Sequence, residues 1–231
     1  MTRLRWLVAE WPVPISMLAA KIKGSRFTPD NRNGFVVDSV RDDLVEARYV
    51  QRLDVTETVV DPFGNERSFD RVEYRQTYFR ASAQWPGLEL LNPPRSAQDL
   101  LNELSELLDF SVVIYPVAVD VLAWADAFQN MTGIASVVDS LQIGSLELDT
   151  GVTAKAVIKG DKDVRAAATS VTGGRKFAME KMQLRLQRPG LGTAVLTTAG
   201  TVKLSSDAAL DFLRSALRES LATVCQPIKA G

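Results

Sequence analysis

A nine-residue stretch near the start of the chain, Trp11-Pro12-Val13-Pro14-Ile15-Ser16-Met17-Leu18-Ala19, returns 104 residues later as Tyr115-Pro116-Val117-Ala118-Val119-Asp120-Val121-Leu122-Ala123. Four of the nine positions are identical, and Trp/Tyr, Ile/Val and Met/Val keep similar chemistry at three more. A weaker match, Leu100/Leu104/Glu106/Leu108 against Leu213/Leu217/Glu219/Leu221, is offset by 113 residues. Repeated sequence calls for repeated structure, so each half of the chain is expected to run through the same order of elements. Two unrelated segments are the alternative that so short a match leaves open.

The first half reads as a strand over Leu4 to Trp11 and a short helix over Ile15 to Ile22 closed by Gly24. Alternation then gives strands over Phe35 to Val40, Glu46 to Val60 and Ser68 to Ala81. Asp61-Pro62-Phe63-Gly64-Asn65 supplies the turn of a long hairpin. A strand over Leu88 to Leu91 stops at Asn92-Pro93-Pro94. Ser96 reads as an N-cap with Asp99 in the first turn, and Leu100, Leu101, Leu104, Leu107 and Leu108 form one helical face.

The second half opens with a continuous apolar run, Phe110 to Val119, suited to a buried strand, and a helix over Asp120 to Asn130. Leu141 to Leu148 and Val152 to Lys159 form a hairpin. A helix over Asp161 to Thr172, with Val164, Ala167, Ala168 and Val171 inward, ends at Gly173. Phe177 to Gln187 and Thr193 to Leu204 make a second hairpin, and Ser206 caps a last helix carrying Leu210, Leu213, Leu217, Leu221 and Val224.

Each half is therefore β-α-β-β-β-β-α, the second with one helix inserted. The domains read as 1–109, 110–225 and a flexible tail at 226–231, and the class is α+β. This element order resembles the duplicated fold of the TATA-box-binding protein family. The resemblance implies a curved antiparallel sheet with the helices on one side of it. The paired wedge phenylalanines of that family have no counterpart here, so minor-groove bending is not carried over.

Chemistry is mostly excluded. The chain has no histidine, which removes histidine-dependent triads, Cys/His zinc sites and the commonest general base. Its single cysteine, Cys225, has no partner for an intramolecular disulfide and no base to activate it. No P-loop is present, and Gly173-Gly174-Arg175-Lys176 reads as a helix-ending turn. Carboxylates at Asp38, Asp42, Asp43 and Glu46, and at Glu147 and Asp149 with Lys155, leave a metal-dependent nuclease as a distant third reading. No catalytic residue, metal or cofactor is assigned. No apolar run reaches the length of a membrane span or a signal-peptide core, so a cytoplasmic protein is expected.

Charge placement is the informative feature. Ser96 to Ala154 holds no Lys or Arg and nine acids, a net −9 over 59 residues. Lys155 to Lys203 holds ten basic residues and three acids, a net +7 over 49 residues. Alternation places Lys155 and Lys159 on one face of their strand, and Lys181, Gln183 and Arg185 on one face of theirs. Arg48, Arg52 and Arg75 are expected to add a patch in the first half. The leading expectation is a non-catalytic recognition protein that binds nucleic acid or another polyanion on Lys155, Lys159, Lys181, Arg185, Arg48, Arg52 and Arg75. Its acidic helices would meet a protein partner within a larger bacterial or phage-related assembly. A purely structural subunit is the competing reading, and homo-oligomerisation stays open.

Overall fold

The computed structural model describes residues 1–225; the tail expected at 226–231 lies outside them. The described chain is mixed α+β, as expected, with antiparallel strand pairing. In order it runs through β1 (Thr2–Glu10), α1 (Ile15–Gly24), β2 (Asn33–Arg41), β3 (Leu44–Val60), β4 (Glu66–Ser82), β5 (Gly87–Leu91) and α2 (Gln98–Leu107). There follow β6 (Val113–Pro116), α3 (Val121–Thr132), β7 (Ser136–Asp149), β8 (Val152–Lys159) and α4 (Arg165–Thr172). The last elements are β9 (Phe177–Leu186), β10 (Thr193–Thr197), β11 (Thr201–Leu204) and α5 (Leu210–Cys225).

These elements form two compact units, Ala9–Val113 and Met1–Val8 with the described residues from Ile114 onward. The break between Val113 and Ile114 falls close to the 109/110 boundary read from the sequence, but Met1–Val8 belongs with the later residues.

In the unit Ala9–Val113, β2, β3, β4 and β5 are neighbours in chain order. Phe35 packs its ring 5.4 Å from Tyr49 and 5.9 Å from Phe79. Ile15, Leu18 and Ile22 of α1 and Leu100 and Leu104 of α2 are buried as well. β3 and β4 pair continuously from Leu44↔Ser82 to Val60↔Glu66. At the tip, Asp61 Oδ1 accepts from the backbone N–H groups of Phe63 (2.8 Å) and Asn65 (2.9 Å), the turn chemistry the sequence announced.

In the other unit the strand order is β1-β11-β10-β9-β7-β8. Trp6 of β1 meets Trp124 of α3 edge to face at 6.0 Å. Phe128, Leu184, Leu196, Leu213, Leu217 and Leu221 complete this core. Asp120 caps α3, accepting from Leu122 N–H at 2.8 Å, and Gly133 ends the helix at φ 65°.

Several expectations are corrected. The buried strand over Phe110 to Val119 shrinks to β6, because Asp109 (φ 53°) and Phe110 (φ 58°) are left-handed at the end of α2 and Pro116 has no N–H for a ladder. Phe110 is 76% exposed. Ala97, not Ser96, occupies the N-cap of α2, although Ser96 Oγ accepts from Gln98 N–H. In α4 the inward residues are Val164, Ala168 and Thr172, with Val171 exposed. Thr193 to Leu204 is a tight hairpin, β10 and β11, turning at Gly200 (φ 63°) rather than one strand. The second half therefore has one strand more than the expected string. Its pairing differs too: β9 lies beside β7, leaving β8 outside, whereas β4 lies beside β3. Trp11 to Pro14 and Tyr115 to Val117 nevertheless both sit where a strand ends ahead of a helix.

Candidate nucleic-acid interface

The open face of the unit containing β7 to β11 is set by alternation and register. On β9, Met182, Leu184 and Leu186 are buried, which turns Lys181, Gln183 and Arg185 the other way. On β1, buried Leu4 and Trp6 do the same for Arg3 and Arg5. Register then aligns Arg3, Lys203, Val195, Gln183, Ser140 and Lys159 as one row across six strands. The adjacent row is Arg5, Thr201, Thr197, Lys181, Gln142 and Val157. At roughly 4.8 Å per strand a row spans roughly 24 Å. Arg185 lies opposite Thr193 and Val137, one step farther along the same face.

A concavity of about 570 Å³ opens on this face, lined by Lys159, Lys181, Gln142, Gln183, Asp139 and Asp161 among others. Asp139 sits in a β-bulge between Val138 and Ser140, where its Oδ1 accepts from Gln183 Nε2 at 2.9 Å. Gln142 Nε2 donates to Glu180 Oε2 at 3.0 Å. These contacts fix both amides while the two ammonium groups stand on exposed or half-buried stems. Arg185 Nη2 donates to the Asp161 carbonyl at 2.6 Å, which fastens the loop after β8. Below it, Asp163 accepts from Arg165 and from the Val138 N–H. Burial pushes the Asp163 carboxyl up, but the hydrogen bonds from Arg165 and the backbone outweigh this and hold it below the usual carboxylate range. Arg165 is raised in turn, chiefly by its hydrogen bond to Asp163.

Of the residues singled out in the sequence, Lys155, Lys159, Lys181 and Arg185 share this face. Arg3, Arg5 and Lys203 join them; sequence reasoning missed these three because only the β1–β11–β10–β9 register reveals the alignment. Arg48, Arg52 and Arg75 lie in the other unit and do not form one patch. Arg48 pairs with Tyr78 and Arg52 with Tyr74, whereas Arg75 pairs with Gln51 and so faces the opposite side of the ribbon. Arg48 is engaged by Asp38 (2.9 Å), lies 5.8 Å from the Tyr78 ring, and is raised, chiefly by the Asp38 hydrogen bond. Arg52 Nε lies 3.3 Å from Asp54.

Several of the carboxylates considered for metal chemistry are engaged elsewhere: Asp38 pairs with Arg48, Glu46 with Arg80, Asp43 accepts from Gln84, and Asp149 accepts from Thr150 N–H. Among the described residues no group of three or more Cys, Asp or Glu side chains could hold a metal ion. No described helix is long and apolar enough to cross a membrane. Burial raises the Cys225 thiol. The chain matches no protein-family model and no curated protein sequence.

Proposed function

We propose that this chain is a non-catalytic recognition protein that binds a polyanion, nucleic acid foremost, on the open face carrying Lys155, Lys159, Lys181, Arg185, Lys203, Arg3 and Arg5. The observation that carries this reading is the register, which gathers basic residues from four strands, β1, β8, β9 and β11, onto one face of the sheet. Cations in rows track a phosphate backbone better than one cluster does, because successive phosphates each displace a counterion. Gln142 and Gln183 beside Lys159 and Lys181 add amide donors within the concavity. Phosphate contacts of this kind position a ligand without reading sequence. The acidic helices α2, with Asp99, Glu103 and Glu106, and α3, with Asp126, repel phosphates and suit a protein partner instead, in a cytoplasmic assembly.

Fluorescence anisotropy with labelled single- and double-stranded DNA and RNA, repeated across a salt series, tests the reading. Log affinity falls linearly with log salt, with a slope near −0.7 to −0.9 per phosphate neutralised. Failure to bind any of the four probes at low salt rejects it.

A further inference from the structure

The β3–β4 ribbon leaves its parent sheet. β2 covers β3 only as far as Gln51, and β5 covers β4 only from Tyr78 to Ala81. Glu66 to Thr77 of β4 therefore pairs with β3 on one side and with no described strand on the other. A two-stranded ribbon is marginally stable in water by itself. Along this stretch Phe69 (56%), Val72 (46%) and Tyr74 (55%) are exposed.

We propose that the occupant of this edge is a second copy of the same edge: β4 pairs antiparallel with β4 of another chain about a two-fold axis through Val72. The charge pattern selects both the partner and the register. Side chains alternate with period two, so opposite residues share a face only when the two-fold axis passes through a residue. An axis at Val72 sets Val72 against Val72, Arg71 against Glu73 twice, Asp70 against the Tyr74 hydroxyl and Phe69 against the Arg75 guanidinium. Axes at Asp70, Arg71 or Glu73 set like charges directly opposite, which destabilises a ladder. An axis at Phe69 sets Arg67 against Arg71. An axis at Tyr74 shortens the ladder, because Thr77 is buried and β5 covers β4 from Tyr78. Within one chain Arg71 already holds Glu73 at 2.7 Å and Glu57 at 3.5 Å, so its guanidinium can bridge to a facing Glu73 without leaving a carboxylate unpaired. The product is a four-stranded ribbon, β3-β4-β4-β3, with two-fold symmetry, in which Val72 meets its own copy while Phe69 and Tyr74 lie against Arg75 and Asp70.

Cross-linking tests the register directly. Residues directly opposite in an antiparallel pair have Cα atoms about 4.5–5.5 Å apart, within disulfide range. In a Cys225→Ser background, Val72→Cys should form a covalent dimer under mild oxidation, and Asp70→Cys, which faces Tyr74, should not. Sedimentation supplies the second arm: Arg71→Glu and Glu73→Arg should each weaken dimerisation by about tenfold or more, and the double exchange should restore it. Circular dichroism confirms that each variant keeps its strands. A protein that stays monomeric at about 100 µM, equal cross-linking at both cysteine positions, or single charge variants that dimerise normally would overturn the proposal.

Discussion

Trp124 donates its indole N–H to the Leu217 carbonyl at 3.0 Å and to Ser220 Oγ at 3.2 Å, fastening α3 to α5 by a buried polar contact inside an apolar core. The same indole meets Trp6 on β1, so one side chain joins two helices and the strand that carries Arg3 and Arg5. Ser220 Oγ also donates to the Leu217 carbonyl at 3.1 Å, so removing the indole costs its own two contacts and leaves these acceptors paired with each other. Trp124→Phe should therefore destabilise the protein by about 2–4 kcal/mol, combining the lost donor with lost volume. Urea melts with an unchanged m-value would check it.

Asp163 makes the stability of the concavity's loop depend on pH. Its carboxyl titrates lower in the folded chain than in the unfolded one, so the unfolded state binds more protons across that interval. The contribution is present above the unfolded carboxylate range and is lost as pH falls through the folded value. Acid titration should show the wild type losing stability more steeply than Asp163→Asn below about pH 4. Parallel curves would contradict this assignment.

Two glycines should respond to alanine with opposite signs. Gly87 is held at φ +99°, and a Cβ there would meet the Ala9 carbonyl oxygen at 2.4 Å, so Gly87→Ala should cost more than about 1 kcal/mol. Gly24, the last residue of α1, has negative φ and nothing within 4 Å of an added Cβ. Gly24→Ala should raise stability by about 0.4–1 kcal/mol, through a narrower unfolded ensemble. Thermal melts of the two variants read both outcomes.

Where the signal was local, the sequence was legible. Asp61 built its turn, Gly173 ended α4 in the left-handed conformation, and alternation sorted Lys181, Gln183 and Arg185 from the core. The apolar run Phe110 to Val119 misled because composition cannot show that Asp109 and Phe110 turn left-handed. Register was beyond reach for the same reason in both units. No local feature places Arg75 opposite Gln51 rather than Arg52, or brings Lys203 between Arg3 and Val195. The expected single patch of Arg48, Arg52 and Arg75 thus fails on a parity that only strand pairing decides, and the row through Lys159 gains members from the far end of the chain.

The most direct test of the basic face is anisotropy of labelled nucleic acid with Lys159→Glu/Lys181→Glu, compared with Arg218→Glu on α5. Lys159 and Lys181 line the concavity and share the open face, whereas α5 packs Leu213, Leu217 and Leu221 into the core. The double variant should bind at least about fivefold more weakly at moderate salt, with a salt slope shallower by about two, and Arg218→Glu should bind as the wild type does. Equal losses in both proteins, or no loss in the double variant, would contradict recognition through this face.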